Sequence, residues 1–282
     1  MLLRRARAFL TIGVVLTACG HDPGDPPSPE VVPPPEGLGD RIYEVADPAS
    51  PKKANHQGTV NVTGAVVVAV DTYDETKQGN SAGTIYVNDL GSKEPYSGLS
   101  LFNPSFVPGN LRISAGDVLD LRGQYQENND IPLQFAPGAF LVQLASPIGT
   151  YRFDAKVPEP IDIDVNDLYD YAKGRQWLNM IVRVRNVTLM RDAFIVDQTT
   201  GLPSSGNSGR VGAGLRNADS PAENEDRGCA DPFPKAPTLV NELMDIVPLE
   251  LRRDTQIKEL VGLVTFFCNL HIAPRSEADI VR

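Results

Sequence analysis

One serine of the chain lies in a motif whose spacing is typical of a catalytic nucleophile. The stretch Gly79-Asn80-Ser81-Ala82-Gly83 matches GxSxG, in which a sharp turn between a strand and a helix exposes a nucleophilic serine. Here a polar loop precedes the motif and a strand pattern, residues 84–87, follows it. The chain has three histidines, and none lies in a pattern typical of a catalytic partner: His21, His56 and His271. The sequence therefore predicts a hairpin loop here and no hydrolase.

Acidic residues suggest metal binding at Asp162-Ile163-Asp164-Val165-Asn166, which begins like a calcium loop. The sixth loop position holds Asp167 instead of glycine, and the twelfth holds Lys173, which would repel the ion. We therefore interpret these acids as the start of a helix, where the macrodipole favours negative charge. A second acidic segment, residues 219–231, is predicted to be a solvated loop. The sequence predicts no metal, no other cofactor and no enzyme.

Candidate ligand contacts lie in two places. Tyr86 and Phe102 alternate with apolar neighbours, so we expect them on an outer strand face, where they could stack on a base or a sugar ring. Arg183 and Arg185, with Arg191 further along, form a second candidate surface, a basic stripe. For these arginines a solvated strand face is the favoured interpretation.

The arginine stripe is carried by residues 177–189, WLNMIVRVRNVTL, which we predict to be the long first strand of a small barrel. Apolar residues before Asn186 share one face, with the arginines on the other: Met180, Val182 and Val184. After Asn186 the apolar positions shift by one, to Val187 and Leu189. Such a shift predicts a β-bulge, which bends a strand and helps a sheet to close. The same design is expected in residues 58–71.

Short strand patterns fill the rest of the chain. In the first module, residues 56–155, we predict strands near 60–70, 84–89, 98–102, 118–126 and 140–145. In the second module, residues 160–282, we predict a helix over 165–173, capped by Asp164 and stopped by Gly174. Strands near 177–189, 193–197, 210–217 and 258–270 follow, with helical spacing of apolar residues over 238–246.

The N-terminus has the pattern of an export signal. Arginines at positions 4, 5 and 7 precede a short apolar run, which ends in Leu16-Thr17-Ala18-Cys19. This ending resembles the lipobox of bacterial lipoproteins. The resemblance implies removal of residues 1–18 by the general secretory route and acylation of Cys19, which would anchor the chain to a membrane. An ordinary signal peptide is the alternative.

The resemblance also bears on the other cysteines. With Cys19 assigned to the lipid, Cys229 and Cys268 are left in an exported protein, where a single disulfide is possible. Such a bridge closes a loop of about 40 residues and would stabilise the fold by about 4 kcal/mol in the chain-entropy description. Two separate thiols are the alternative.

The composition of the chain indicates a flexible N-terminal segment and restricts which partners the protein can bind. Residues 19–55 are predicted to form a disordered tether, because seven of the 21 residues from Gly20 to Asp40 are proline. Without residues 1–18 the chain has 23 basic and 36 acidic side chains, a formal net charge of −13. This charge opposes attraction to nucleic acid and to anionic lipid headgroups.

Five strands per module, with one helix, resemble the OB-fold as it occurs in exported bacterial proteins, including lipoproteins and modules attached to secreted nucleases. The resemblance rests on three segments besides the strand at 177–187: Gly116-Asp117-Val118-Leu119-Asp120-Leu121-Arg122-Gly123, Glu259-Leu260-Val261-Gly262-Leu263-Val264, and Pro274-Arg275-Ser276 with Asp279-Ile280. It implies an all-β chain with two OB-like five-stranded barrels in tandem. Residues 103–115 depart from the pattern, because two prolines replace the helix. A β-sandwich with the same number of strands is the alternative.

These observations favour a non-catalytic, lipid-anchored protein of the bacterial cell envelope, on the outer membrane or the periplasmic face. Its modules would bind a protein or an uncharged glycan, with a protein favoured because exposed aromatics are few, or have a structural role. Two alternatives stay open: an accessory or degenerate relative of a secreted nuclease or other hydrolase, and a binder of single-stranded nucleic acid. Both rest on the kind of fold alone.

Overall fold

The strands of this protein close into two five-stranded barrels that follow one another along the chain. The computed structural model describes residues 32–79, 82–128, 141–221 and 234–282. The predicted signal peptide, residues 19–31 of the predicted tether with Cys19, Asn80 and Ser81 of the GxSxG motif, and residues 222–231 of the acidic segment with Cys229 lie outside the described residues.

Barrel 1 begins with a short helix, α1 (Ile42–Ala46). Its strands are β1 (Thr59–Val70), β2 (Ile85–Asp89), β3 (Gly98–Phe102), β4 (Ser105–Val107), β5 (Asp117–Asn128) and β6 (Leu141–Asp154). Strand β1 pairs antiparallel with β2 and β5, β2 pairs with β3, and β5 pairs with β6. A parallel pairing of β3 with β6 closes the barrel. The barrel is therefore complete without a helix in residues 103–115, where β4 adds to β6 instead.

Barrel 2 contains the helix α2 (Tyr171–Gly174) and four 3₁₀ helices or turns: Val165–Tyr169, Arg175–Trp177, Val247–Leu249 and Glu277–Asp279. Its strands are β7 (Ile161–Asp162), β8 (Ile181–Leu189), β9 (Ile195–Val196), β10 (Pro203–Ser204), β11 (Gly212–Arg216), β12 (Thr238–Val240), β13 (Gln256–Phe267), β14 (Asn269–Ala273) and β15 (Ile280–Val281). Five of these close the barrel in the order β8-β11-β12-β14-β13, with β13 returning to β8.

Both barrels share one pairing scheme, with a parallel contact only between their third and fifth barrel strands. This is the Greek-key arrangement of an OB barrel. The predicted all-β fold of two OB-like barrels in tandem is confirmed.

The predicted change of face occurs in both first strands, but by different means. In β1 the register with β5 shifts by one residue between Val62 and Ala65, and Gly64 between them has a φ of 67°. A bulge is therefore present, as expected. In β8 the register with β13 is the same before and after Asn186, so no residue is inserted and the predicted bulge is wrong. The strand turns over at Asn186 itself, which has a φ of 53°.

Two helix predictions need correction. The helix expected over 165–173 is split into a 3₁₀ helix capped by Asp164 and helix α2 capped by Asp170. The helix expected over 238–246 is absent, because β12 begins there and Leu239 pairs with β11 and β14. Apolar spacing over nine residues does not distinguish a helix from a short buried strand.

The segment predicted as tether ends earlier than expected. Asp40 forms a parallel bridge with Val62, and the Gly37 N–H donates a hydrogen bond to Asp120 Oδ2 at 2.7 Å. Ile42 and Val45 of α1 are buried in the core. The residues from about Gly37 to 55 therefore belong to barrel 1. Among the helices of the described chain, none is long and apolar enough to cross a bilayer.

The two barrels belong to one compact unit, residues 33–282, and share an interface. The outer face of barrel 1 packs against that of barrel 2 in one apolar cluster, which contains Val66, Val68, Tyr86 and Val118 with Ile181, Val261 and Leu263. The Asn88 side-chain amide donates to the Asn179 carbonyl at 2.6 Å. At Gly98 a Cβ atom would lie 2.6 Å from the Leu178 carbonyl oxygen. We call this contact surface the inter-barrel interface.

The close approach at Gly98 gives a testable prediction. Gly98→Ala should lower the free energy of unfolding by about 1–3 kcal/mol, because the added methyl group meets backbone atoms of the other barrel. Urea unfolding measures the change. Gly109→Ala is the matched control, since the nearest atom to its new Cβ, the Phe106 carbonyl oxygen, is 4.0 Å away. Equal stability of the two variants would contradict the interface.

Candidate functional site

Three carboxylates from both barrels meet at the inter-barrel interface, and we call them the carboxylate cluster: Asp71, Glu75 and Glu242. Asp71 directly follows β1 and is held by backbone hydrogen bonds with Thr84 and Gly83 at 2.8 Å each. Glu75 lies in the β1–β2 loop. Glu242 comes two residues after β12. These acids therefore lie close together because a strand of each barrel ends at the inter-barrel interface.

Each carboxylate has a donor. Tyr86 Oη donates to Glu242 Oε1 at 2.9 Å, and Thr265 Oγ1 donates to Glu242 Oε2 at 2.5 Å. Arg210 Nε donates to Glu75 Oε1 at 2.8 Å, and the Tyr73 N–H donates to Asp71 Oδ1 at 3.1 Å. The donors to Glu75 and to Glu242 Oε1 come from the opposite barrel, so these hydrogen bonds join the two barrels.

Burial shifts the protonation of this region. It raises the pKa of Asp71 to about 7, and the neighbouring negative charges of Glu242 and Glu75 add to this. Burial also raises the pKa of Glu242, against the hydrogen bonds from Thr265 and Tyr86. The pKa of His271 is lowered to about 4 by burial and by the positive charge of Arg210. At neutral pH the histidine is therefore neutral, and Asp71 is partly protonated.

Shifted carboxylates are frequent in active sites, but they also occur where acids are buried for structural reasons. Here both oxygens of Glu242 accept hydrogen bonds from the protein, and Glu75 is paired with Arg210. Within the part of the chain that the structure describes, no group of three His, Cys, Asp or Glu side chains is placed to hold a metal ion. The cluster therefore fits a role in joining the barrels.

The two aromatic residues predicted to contact a ligand differ in their exposure to solvent. Phe102 lies at the end of β3 and is 61% exposed. Tyr86 is only 5% exposed, because barrel 2 covers the outer face of β2. The prediction that Tyr86 faces solvent and can stack on a ligand is wrong. Strand alternation assigned Tyr86 to the outer face correctly, but it carries no information on what covers that face.

Arg183 and Arg185 lie side by side on the outer face of β8, where acids accompany them. Asp162 lies 3.5 Å from Arg183 Nη1 and 2.7 Å from Arg185 Nη1, and Glu259 lies 3.2 and 3.6 Å from their Nε atoms. Two positive and two negative charges leave this surface without net charge. Arg191 is not part of it, since its Nε donates to the Gly212 carbonyl. The same contacts give Asp162 a role other than calcium binding.

Cys268 is buried in the turn between β13 and β14, where its carbonyl accepts a hydrogen bond from Lys235 Nζ at 3.0 Å. Cys229 lies outside the described residues, so the disulfide stays a prediction.

Sequence reasoning missed Asp71, Glu75, Glu242 and Arg210 as a group. Glu75 and Arg210 are separated by 135 positions, and Tyr86 and Glu242 by 156. No local spacing indicates these contacts, because they exist only once the barrels have docked. Comparison with protein-family models, curated proteins and solved structures gives no match. The function must therefore be argued from the residues of this chain.

The raised pKa of Asp71 predicts a pH dependence of stability. Its folded pKa, about 7, exceeds the usual value of 3.8, so this carboxyl contributes stability that is full below pH 3.8 and is lost as the pH rises through 7. Asp71→Asn removes this pH-dependent loss, because asparagine does not titrate. The free energy of unfolding of the variant minus that of wild type should therefore be higher at pH 8 than at pH 5, by about 1–2 kcal/mol after allowance for solvent screening.

Urea unfolding of both proteins at the two pH values measures this gain. Asp219→Asn is the control, because it removes the same charge at an exposed turn. If the stability of Asp71→Asn relative to wild type does not depend on pH, or if Asp219→Asn shows the same pH dependence, the raised pKa of Asp71 is contradicted.

Proposed function

We propose that this protein is a non-catalytic, lipid-anchored component of the bacterial cell envelope. Cleavage before Cys19 and acylation of that residue anchor the chain, and a proline-rich tether of fewer than 20 residues after Cys19 leads to barrel 1. The two OB-like barrels, which belong to one compact unit, bind a protein or a glycan at their exposed surface.

The observation that carries the proposal is the use made of barrel 1's ligand face. OB barrels commonly bind ligands on their second and third strands and the adjoining loops. In this protein Tyr86 and Asn88 of β2 contact barrel 2 instead. Glu75, in the loop before β2, is also bound by barrel 2. The face is thus used to hold the barrels together, which supports a scaffold role over a nuclease-like one.

Charge favours a protein or a glycan over nucleic acid as the partner. The chain without residues 1–18 has a formal net charge of −13, which opposes binding of a polyanion. The arginine stripe does not offset this charge, because Asp162 and Glu259 pair with Arg183 and Arg185. Accordingly, the arginine stripe does not favour the nucleic-acid alternative.

Lipid attachment is tested by metabolic labelling with a palmitate analogue in a bacterial host. We expect the wild-type chain to carry the label and to fractionate with membranes. Cys19→Ala should abolish both, because the acylated thiol is gone. Cys268→Ala, whose thiol is not expected to be acylated, is the control and should keep the label. Label retained by the Cys19 variant would refute the anchor.

The pairing of Cys229 with Cys268 is tested by counting thiols. Protein isolated without reductant and unfolded in guanidinium chloride should react with no thiol reagent, since Cys19 is acylated and the other two are joined. Reduction should release two thiols and lower the unfolding midpoint. Two reactive thiols before reduction would show that the bridge is absent.

A further inference from the structure

A groove of about 550 Å³ lies on barrel 2, and none of its described lining residues belongs to the apolar cluster of the inter-barrel interface. Its floor is formed by three neighbouring strands, because Thr188 of β8 pairs with Arg216 of β11 on one side and with Gln256 of β13 on the other. Asn186 and Lys258 extend this floor by a second row. We call the five residues and the space above them the β8 groove.

The turn of β8 at Asn186 creates this surface. Asn186 has a φ of 53°, and the residues on either side of it, Arg185 and Val187, are respectively exposed and buried. Because the strand turns over here, Asn186 and Thr188 face outward where regular alternation from Val184 would place inward side chains. The groove therefore depends on the change of face that the sequence predicted.

One wall of the groove is a turn that is fixed by side-chain hydrogen bonds. The Asn217 N–H donates to Ser220 Oγ at 2.9 Å. Asn166, in the 3₁₀ helix next to this turn, donates to Asn217 Oδ1 at 3.0 Å and accepts from Ser220 Oγ at 2.7 Å. The wall is thus held in place before any ligand arrives, which lowers the cost of binding.

The charge of the groove differs from that of the chain. Arg216 and Lys258 line it, and among its described lining residues none is acidic or aromatic. Among the described residues Arg216 forms an ion pair with one acid, Asp254, at 3.5 Å, and both side chains are at least half exposed. Such an exposed pair is weak and leaves the guanidinium able to bind another anion. The remaining polar side chains of the floor are amides and a hydroxyl.

We propose that the β8 groove binds a carboxylate-bearing sugar, such as a uronic acid unit of a polysaccharide. Arg216 binds the carboxylate with two parallel N–H donors, and Lys258 adds a second positive charge. Asn186, Gln256 and Thr188 match hydroxyl groups, and the volume lies in the range of small-molecule sites. Because the described lining offers no aromatic ring for stacking, a neutral sugar would gain too little binding free energy in this groove. The inference rests on the proposed binding function and assigns it an acidic glycan in place of the uncharged one that the net charge favours, because Arg216 and Lys258 make this groove locally positive.

The test is calorimetric titration of the full chain with an oligomer of galacturonic acid. We expect saturable binding that weakens as salt is added. Arg216→Gln and Lys258→Gln should each weaken it by about tenfold or more, since each removes a charge-assisted hydrogen bond. Arg112→Gln and Lys93→Gln remove the same charges from exposed positions of barrel 1 and should bind as wild type does.

Three outcomes would overturn the proposal. No binding of the acidic oligomer excludes the ligand class. Equal binding of a galactose oligomer shows that the carboxylate is not recognised. Inorganic phosphate that binds as tightly, and is lost in the same variants, shows a general anion site. None of these results affects labelling at Cys19 or membrane retention, so failure here is distinguishable from failure of the proposed lipid anchor.

Discussion

One buried contact fixes the arrangement on which the other features depend, the hydrogen bonding between Asn88 and Asn179. Asn88 Nδ2 donates to the Asn179 carbonyl, and Asn179 Nδ2 donates to the Val142 carbonyl of barrel 1 at 2.9 Å. A buried amide is costly unless its donors and acceptors are paired. These amides sit beside an apolar cluster from both barrels and are satisfied in one relative position only. The apolar cluster supplies most of the attraction, and the amides fix the register.

Docking also accounts for the features that most resemble an active site. Asp71 and Glu242 have raised pKa values chiefly because the interface removes water from them. Tyr86 and Arg210 then supply the donors that the desolvated acids need. Desolvation and the neighbouring negative charges account for the raised pKa values, so these shifts give no independent support for catalysis. Both oxygens of Glu242 accept hydrogen bonds from the protein, so neither is left for a substrate. Glu75 Oε2 is buried and has no hydrogen-bond partner among the described residues.

How far the sequence predicts this structure depends on the range of the contacts. Alternation and turn residues predict most of the barrel strands, because these patterns follow from local geometry. In barrel 2, however, β12 is expected as part of a helix, and β13 and β14 are expected as one strand over 258–270. The shift of phase after Asn186 predicts a change of face correctly but not its cause, since an inserted residue and a left-handed residue leave the same pattern. Alternation places Tyr86 on the outer side of β2 and cannot show that barrel 2 covers it. Proline content likewise hides the short apolar spacing of Ile42 and Val45, so α1 is missed.

The outer face of β8 shows why the position of a charge matters more than the total. Arg185 and Arg216 belong to one barrel with the same overall charge, yet their surroundings differ. Asp162 of β7 and Glu259 of β13 lie within 4 Å of Arg185. Among the described residues Arg216 is paired with a single acid, the exposed Asp254 at 3.5 Å, and the floor beside it carries Thr188 and Gln256. Because salt screens exposed charges beyond about 8 Å, these nearest neighbours outweigh the distant acids. Strand register therefore decides which arginine is available, and a chain with an acidic total can still present a locally basic groove.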